Sequence, residues 1–116
     1  MKNMKNKVQL IGRLGQDPEV KQFNEKNKLA KFSIATTEKY KDAKGKLRDN
    51  TIWHNNIVAW GKLAGVIERY LKKGSEVAVE GRLQYRRYED GEGKIQLVPE
   101  VVISNLLMLR TPAVAQ

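Results

Sequence analysis

The chain of 116 residues contains no cysteine and only one histidine, His54. Without thiols there is no disulfide framework and no thiolate metal site, and a lone imidazole cannot build a zinc centre. Long apolar runs are missing too, so no segment is expected to span a bilayer as a helix. The N-terminal lysines precede residues 8–15, a short stretch broken by Gln9, Gly12 and Arg13, which makes a poor signal-peptide core. These absences favour a cytoplasmic location with no membrane partner. A phosphate-cradling glycine loop is also lacking, because Gly12 and Gly15 do not open a helix. The acidic group Glu89, Asp90 and Glu92 falls in a turn, where carboxylates cannot keep the fixed separation that acid–base catalysis needs. Catalysis has no foothold, and no cofactor is expected.

What is plentiful is positive charge. Twenty-two Lys and Arg against thirteen Asp and Glu give a formal net charge of +9. Such an excess draws polyanions, either nucleic acid or an acidic membrane surface, unless it is merely a solvated basic exterior. The length fits one domain, expected over residues 1–110, followed by a tail at 111–116 too short to fold alone.

Period-two alternation marks the strands. Val8, Leu10 and Leu14 share a face around Gly12, and a glycine inside a strand signals a bend or a close approach of backbones. After a turn at Asp17-Pro18, residues 21–28 read as polar connector. In a second strand at 29–37, Ala30, Phe32 and Ile34 alternate with Lys31, Ser33 and Ala35. Residues 38–50 lose the pattern and read as a long mobile hairpin with one aromatic, Tyr40. A third strand at 51–60 carries both tryptophans. The single helix is predicted at 62–73, where Leu63, Val66, Ile67, Tyr70 and Leu71 form an apolar stripe that ends at Gly74. Tyr70 and Phe32 fit apolar stripes and are assigned to the core. Two further strands, at 76–88 and 94–109, flank the turn signal Asp90-Gly91-Glu92-Gly93. Five antiparallel strands, with one short helix between the third and the fourth, make an all-β OB-fold barrel, a partly open architecture that binds oligonucleotides or oligosaccharides.

Aromatics and cations share these strands. Tyr40, Trp53, Trp60, Tyr85 and Tyr88 all lie in strands or hairpins that also carry Lys or Arg. An exposed ring stacks on an unpaired base for ~1–3 kcal/mol, while the cations neutralise phosphates. Duplex DNA hides its base faces, so such a surface favours single strands. Each ring alone could equally fill a core, and each lysine could be plain solvated charge. The rings, however, cluster with Arg82, Arg86 and Arg87 and with the hairpin residues Lys39, Lys41, Lys44, Lys46 and Arg48, which favours a binding surface. The same pattern also suits an RNA-binding barrel, or a protein-interaction barrel whose charge is incidental.

Seven short runs occur in one order: Asn6-Lys7-Val8, Gly15-Gln16-Asp17-Pro18-Glu19-Val20, Ala35-Thr36, Thr51-Ile52-Trp53-His54, Trp60-Gly61-Lys62-Leu63-Ala64, Tyr70-Leu71-Lys72-Lys73-Gly74-Ser75 and Val79-Glu80-Gly81-Arg82-Leu83. Together they resemble the DNA-binding domain of bacterial single-stranded DNA-binding proteins, over residues 5–110. The resemblance implies a homotetramer that binds single-stranded DNA without strong sequence preference in replication, recombination and repair. It implies stacking on Tyr40, Trp53, Trp60 and Tyr88, and phosphate contacts from Lys7, Lys62, Lys73, Arg86 and Arg87. His54 would sit at the subunit interface. The family usually ends in an acidic-hydrophobic tip that recruits partner proteins. Here no acid follows Glu100, so recruitment through such a tip is not expected of this chain.

One departure from the family bears on geometry. Trp60 stands seven positions after Trp53, one more than the family's usual spacing. In a regular strand that odd offset puts the two rings on opposite faces. A β-bulge near Asn55 and Asn56 is therefore expected, returning both rings to one side.

Overall fold

Ala30, Phe32 and Ile34 are buried while Lys31 is exposed, so the strand that carries them has one dry face and one wet face. That strand is the third of six in the computed structural model, which describes residues 5–111. In chain order the elements are β1 (Val8–Leu14), β2 (Glu19–Gln22), β3 (Lys28–Lys41), β4 (Leu47–Trp60), α1 (Lys62–Tyr70), β5 (Glu76–Glu89) and β6 (Ile95–Arg110). The expected tail lies outside the described residues beyond Thr111, as do residues 1–4 of the expected domain.

Five strands close a ring in the order β1–β5–β6–β4–β3, and β3 returns to β1 through Arg13↔Ala35 and Leu14↔Ile34. Gly12 permits that closure, because a Cβ there would overlap the Ala35 carbonyl oxygen and the Ile34 side chain. The helix follows the fourth strand, not the third as expected. The reason is an extra short strand, β2, which pairs with Lys28, Leu29, Ala30 and Lys31 in the segment read as turn and connector. Nor are the strands all antiparallel. β4 and β6 run parallel at Ile57↔Val101 and Val58↔Val102, with α1 and β5 forming the crossover between them. A closed five-strand barrel with one helix is consistent with the OB arrangement.

The barrel core gathers Leu14, Phe32, Ile34, Ile57, Val77, Val79 and Ile103. α1 packs onto it through Ala64 and Ile67, and Leu71 follows them in extended conformation. The helix therefore stops at Tyr70, short of the expected end. Tyr70 is 51% exposed and not part of the core, contrary to expectation. The buried line runs Ala64, Ile67, Leu71, which leaves Val66 and Tyr70 one step round the cylinder on the exposed flank.

Residues 38–50 are ordered, not a loose loop. β3 and β4 stay paired out to Lys41↔Leu47. Asp42 holds the turn that joins them. Its Oδ1 accepts the backbone N–H of Lys44 and Lys46 at 2.9 and 3.0 Å, and its Oδ2 accepts Arg48 Nε at 2.9 Å. Asp90 repeats the pattern with Glu92, Lys94 and Gln96, at 2.9, 3.0 and 3.1 Å. Gly45 and Gly93 supply the left-handed residue in each turn, at φ 79° and 81°.

These hydrogen bonds favour the ionised acids. Arg48 first, then the Lys46 amide, hold the Asp42 carboxyl below the ordinary aspartate value; Gln96 and then the Lys94 amide do the same for Asp90. Because the folded value lies below the unfolded one, the turns' contribution is complete above the unfolded value of 3.8 and is lost as pH falls through the lowered one. NMR titration should show both carboxyls titrating below pH 3.8, with the Lys46 and Lys94 amide signals moving in the same acid range. Titration at or above that value would contradict the turn geometry.

Candidate nucleic-acid interface

Phe32 pairs with Ile57 and Ile34 with His54, so β4 advances three residues while β3 advances two. The extra residue lies at Asn55 and Asn56, opposite Ser33, and forms the β-bulge that the tryptophan spacing requires. Trp53 then pairs with Ala35 and Trp60 with Leu29, both on the outward face of β3. The two rings are 55% and 50% exposed and face the same way.

That outward wall continues across the neighbouring strands. Val58 lies beside Val102, Glu100 beside Gln84, Val98 beside Arg86 and Gln96 beside Tyr88. Val77 and Val79 point into the core, so by alternation Arg82, Gln84, Arg86 and Tyr88 point out. On the other side β2 sets Lys21 against Leu29, and Lys31 projects from β3 itself. One wall thus presents Trp53, Trp60 and Tyr88 together with Lys21, Lys31, Arg82 and Arg86.

Two of the rings have a backing. A Cβ on Gly15 would overlap the six-membered ring of Trp53, so the indole lies against bare backbone. Trp60 stacks on Phe23, with centroids 6.0 Å apart and planes inclined by 27°.

The remaining expected residues are placed differently. Tyr40 pairs with Arg48, an odd number of positions from Ala35 along a regular stretch of β3, and therefore lies on the face opposite Trp53. Arg87, opposite Leu97, likewise points away from Arg86 and Tyr88. Lys7 sits beside Arg82 in a shallow cleft, with its Nζ 3.4 Å from Glu80 Oε2. Lys62 opens α1 next to Trp60-Gly61, and Lys73 is exposed beyond the helix, its backbone N–H donated to Asp17 Oδ1 at 2.8 Å. His54 is half-buried, with Nε2 3.1 Å from Thr36 Oγ1. Among the described residues no group of three or more His, Cys, Asp or Glu could hold a metal ion. No helix there is long and apolar enough to cross a membrane.

Sequence reasoning passed over Lys31, Phe23, Gly15 and Glu100. Lys31 was legible from its alternation with Ala30 and Phe32. Phe23 offered the signal that singled out Tyr40, a lone aromatic in a polar run. Nothing local marks Gly15 or Glu100, whose roles depend on partners distant in sequence.

In the variant Gly15→Ala, the new methyl should push the Trp53 indole off its seat. With Trp60→Phe as background, Trp53 emission should shift and its anisotropy fall, while the melting temperature changes little. An unchanged spectrum would show that the ring does not rest there.

Over residues 5–109 the chain matches the single-strand binding protein family. It is 46% identical over 105 residues to single-stranded DNA-binding protein 1 of Chlorobaculum tepidum, a match covering 90% of this chain and 64% of that protein. The chain thus spans somewhat less than two thirds of that relative's length. In three dimensions it is similar to Plasmodium falciparum SSB, solved in complex with ssDNA. That similarity has a TM-score of 0.78 at 33% identity and covers 95% of this chain and 99% of the other. With the family pattern running from ahead of β1 to the last but one residue of β6, the chain belongs to the single-strand binding protein family.

Proposed function

We propose that this chain binds unpaired DNA without strong sequence preference and does no chemistry on it. The observation that carries the reading is the shared wall: the bulge turns Trp53 and Trp60 the same way, and Tyr88, Arg86 and Lys31 flank them. Flat rings beside cations suit a strand whose bases are free to stack, and the phosphates supply a salt-sensitive attraction. Membership of the family and the likeness to a protein solved with ssDNA support the same substrate.

The finer assignments belong to this proposal. Trp53, Trp60 and Tyr88 stack bases. Arg86 and Lys7 meet phosphates along the wall, and Lys62 and Lys73 meet them at the two ends of the helix. Tyr40 and Arg87 engage a strand that passes round the edges of the ribbons to their other faces. Residues 1–110 act as one domain, four copies assemble with His54 at their contacts, and the assembly protects unpaired DNA in replication, recombination and repair in the cytoplasm.

Titration with dT oligomers should quench tryptophan emission, and log K should fall with log salt at a slope of roughly −0.7 per neutralised phosphate. Trp53→Ala and Trp60→Ala should each cost about 1–3 kcal/mol. Absence of quenching, or quenching indifferent to salt, would overturn the reading.

A further inference from the structure

Within the wall, a groove of about 320 Å³ is lined by Phe23, Lys31, Asn56, Trp60, Arg86 and Glu100. Its size is at the small end of ligand sites, enough for a flat ring. Two carboxylates line it: Glu19 is exposed, and the buried one, Glu100, is the anomaly. A carboxylate repels phosphates, and this one is 9% exposed, so its desolvation is costly unless it is held. It is held on one side: Oε1 accepts Gln84 Nε2 at 2.8 Å. Oε2 stands 3.6 Å from Arg86 Nε, an ion-pair distance but too long for a hydrogen bond. Among the described residues no buried side-chain polar atom lacks a partner, so Oε2 keeps some access to solvent, on a residue that lines the groove. The site thus combines a flat ring, a fixed acceptor and flanking cations.

We propose that Glu100 reads the Watson–Crick edge of one base seated against Trp60, and that it selects guanine there. This rests on the strand-binding reading above and adds a preference at one position. Unpaired bases expose that edge to the protein. Guanine offers two adjacent donors, N1–H and the 2-amino group, which match the two oxygens of a carboxylate. Cytosine and adenine offer an amino group beside an acceptor nitrogen, and thymine flanks its one N–H with two carbonyls that the carboxylate repels. Gln84 positions the reader by fixing Oε1, and Arg86, 3.6 Å from Oε2, offsets its negative field toward the phosphates.

The test compares alternating dT-dG, alternating dT-dI and plain dT oligomers of equal length in lithium buffer, which suppresses guanine quadruplexes. Inosine differs from guanosine only by the missing 2-amino group. The wild-type protein should bind dT-dG on the order of fivefold tighter than dT-dI. Glu100→Gln should bring that ratio close to one while dT binding is kept or strengthened, and Gln84→Met should lower it partway. Should Glu100→Gln fail to fold, the wild-type ratio and Gln84→Met decide alone. Equal wild-type affinities, or an unchanged ratio in the variants, would overturn the proposal. So would a uniform tightening of all three oligomers in Glu100→Gln, which would make the acid merely repulsive. Failure of dT itself to bind would instead overturn the strand-binding reading.

Discussion

Side chains of a paired strand point alternately to its two faces, and the interface depends on the single place where β4 breaks that rule. Without the extra residue at Asn55 and Asn56, Trp53 and Trp60 could not both face outward while Ile57 fills the core. The bulge has a structural partner on the neighbouring strand β6. Pro99 of β6 has no N–H to donate, and the parallel ladder to β4 covers only Val101 and Val102. Asn56 Nδ2 meets the Pro99 carbonyl instead, at 3.2 Å. Where backbone pairing stops between these strands the groove opens, so the irregularity that orients the rings also makes the space beside them.

Charge is sorted by the same scaffold. Many acids are tied to cations away from the rings: Glu76 lies 3.9 Å from both Arg13 and Arg110, Glu68 lies 2.6 Å from Lys28, and Asp42 anchors Arg48. Exposed pairs of this kind stabilise a fold little, by about 0–1 kcal/mol. Their larger effect is on the field. On the wall, Lys21 and Lys31 stand without an ion-pair partner among the described residues, while the acids Glu19 and Glu100 line the same groove.

Much of this was legible in the sequence because it depends on short-range pattern. Alternation at Ala30, Phe32 and Ile34 located β3, and the offset of seven between two tryptophans, set against the family resemblance that places both rings on one face, pointed to the bulge before any pairing was visible. The misplaced features depend on contacts that no local window contains. β2 is polar and short, and it is a strand only because β3 offers it an edge. The β3–β4 ribbon looked irregular because its residues are polar on both faces; its order comes from the three hydrogen bonds to Asp42, a turn signal weaker to the eye than the Asp-Gly at 90 and 91. Tyr70 misled because an apolar stripe defines a helix face only to within a residue or so, and packing chose Ala64 and Ile67. Tyr40 lies outside the core, as a lone aromatic in a polar run suggests, yet its side of the ribbon follows from the register and not from its neighbours.

The seam at Gly12 has a kinetic consequence. β3 with β4, and β5 with β6, are joined by tight turns and can zip within microseconds. β1 must instead find β5 from the far end of the chain, Val8 meeting Gly81, and then find β3 on its other flank at Ala35. The entropy of closing so long a loop is lost before the core contacts of Leu10 and Leu14 repay it, so this pairing is costlier to begin than either hairpin. Until β1 arrives, β5 and the β3 residues around Ile34 present open edges, the state in which one copy of such a chain is most apt to pair with another.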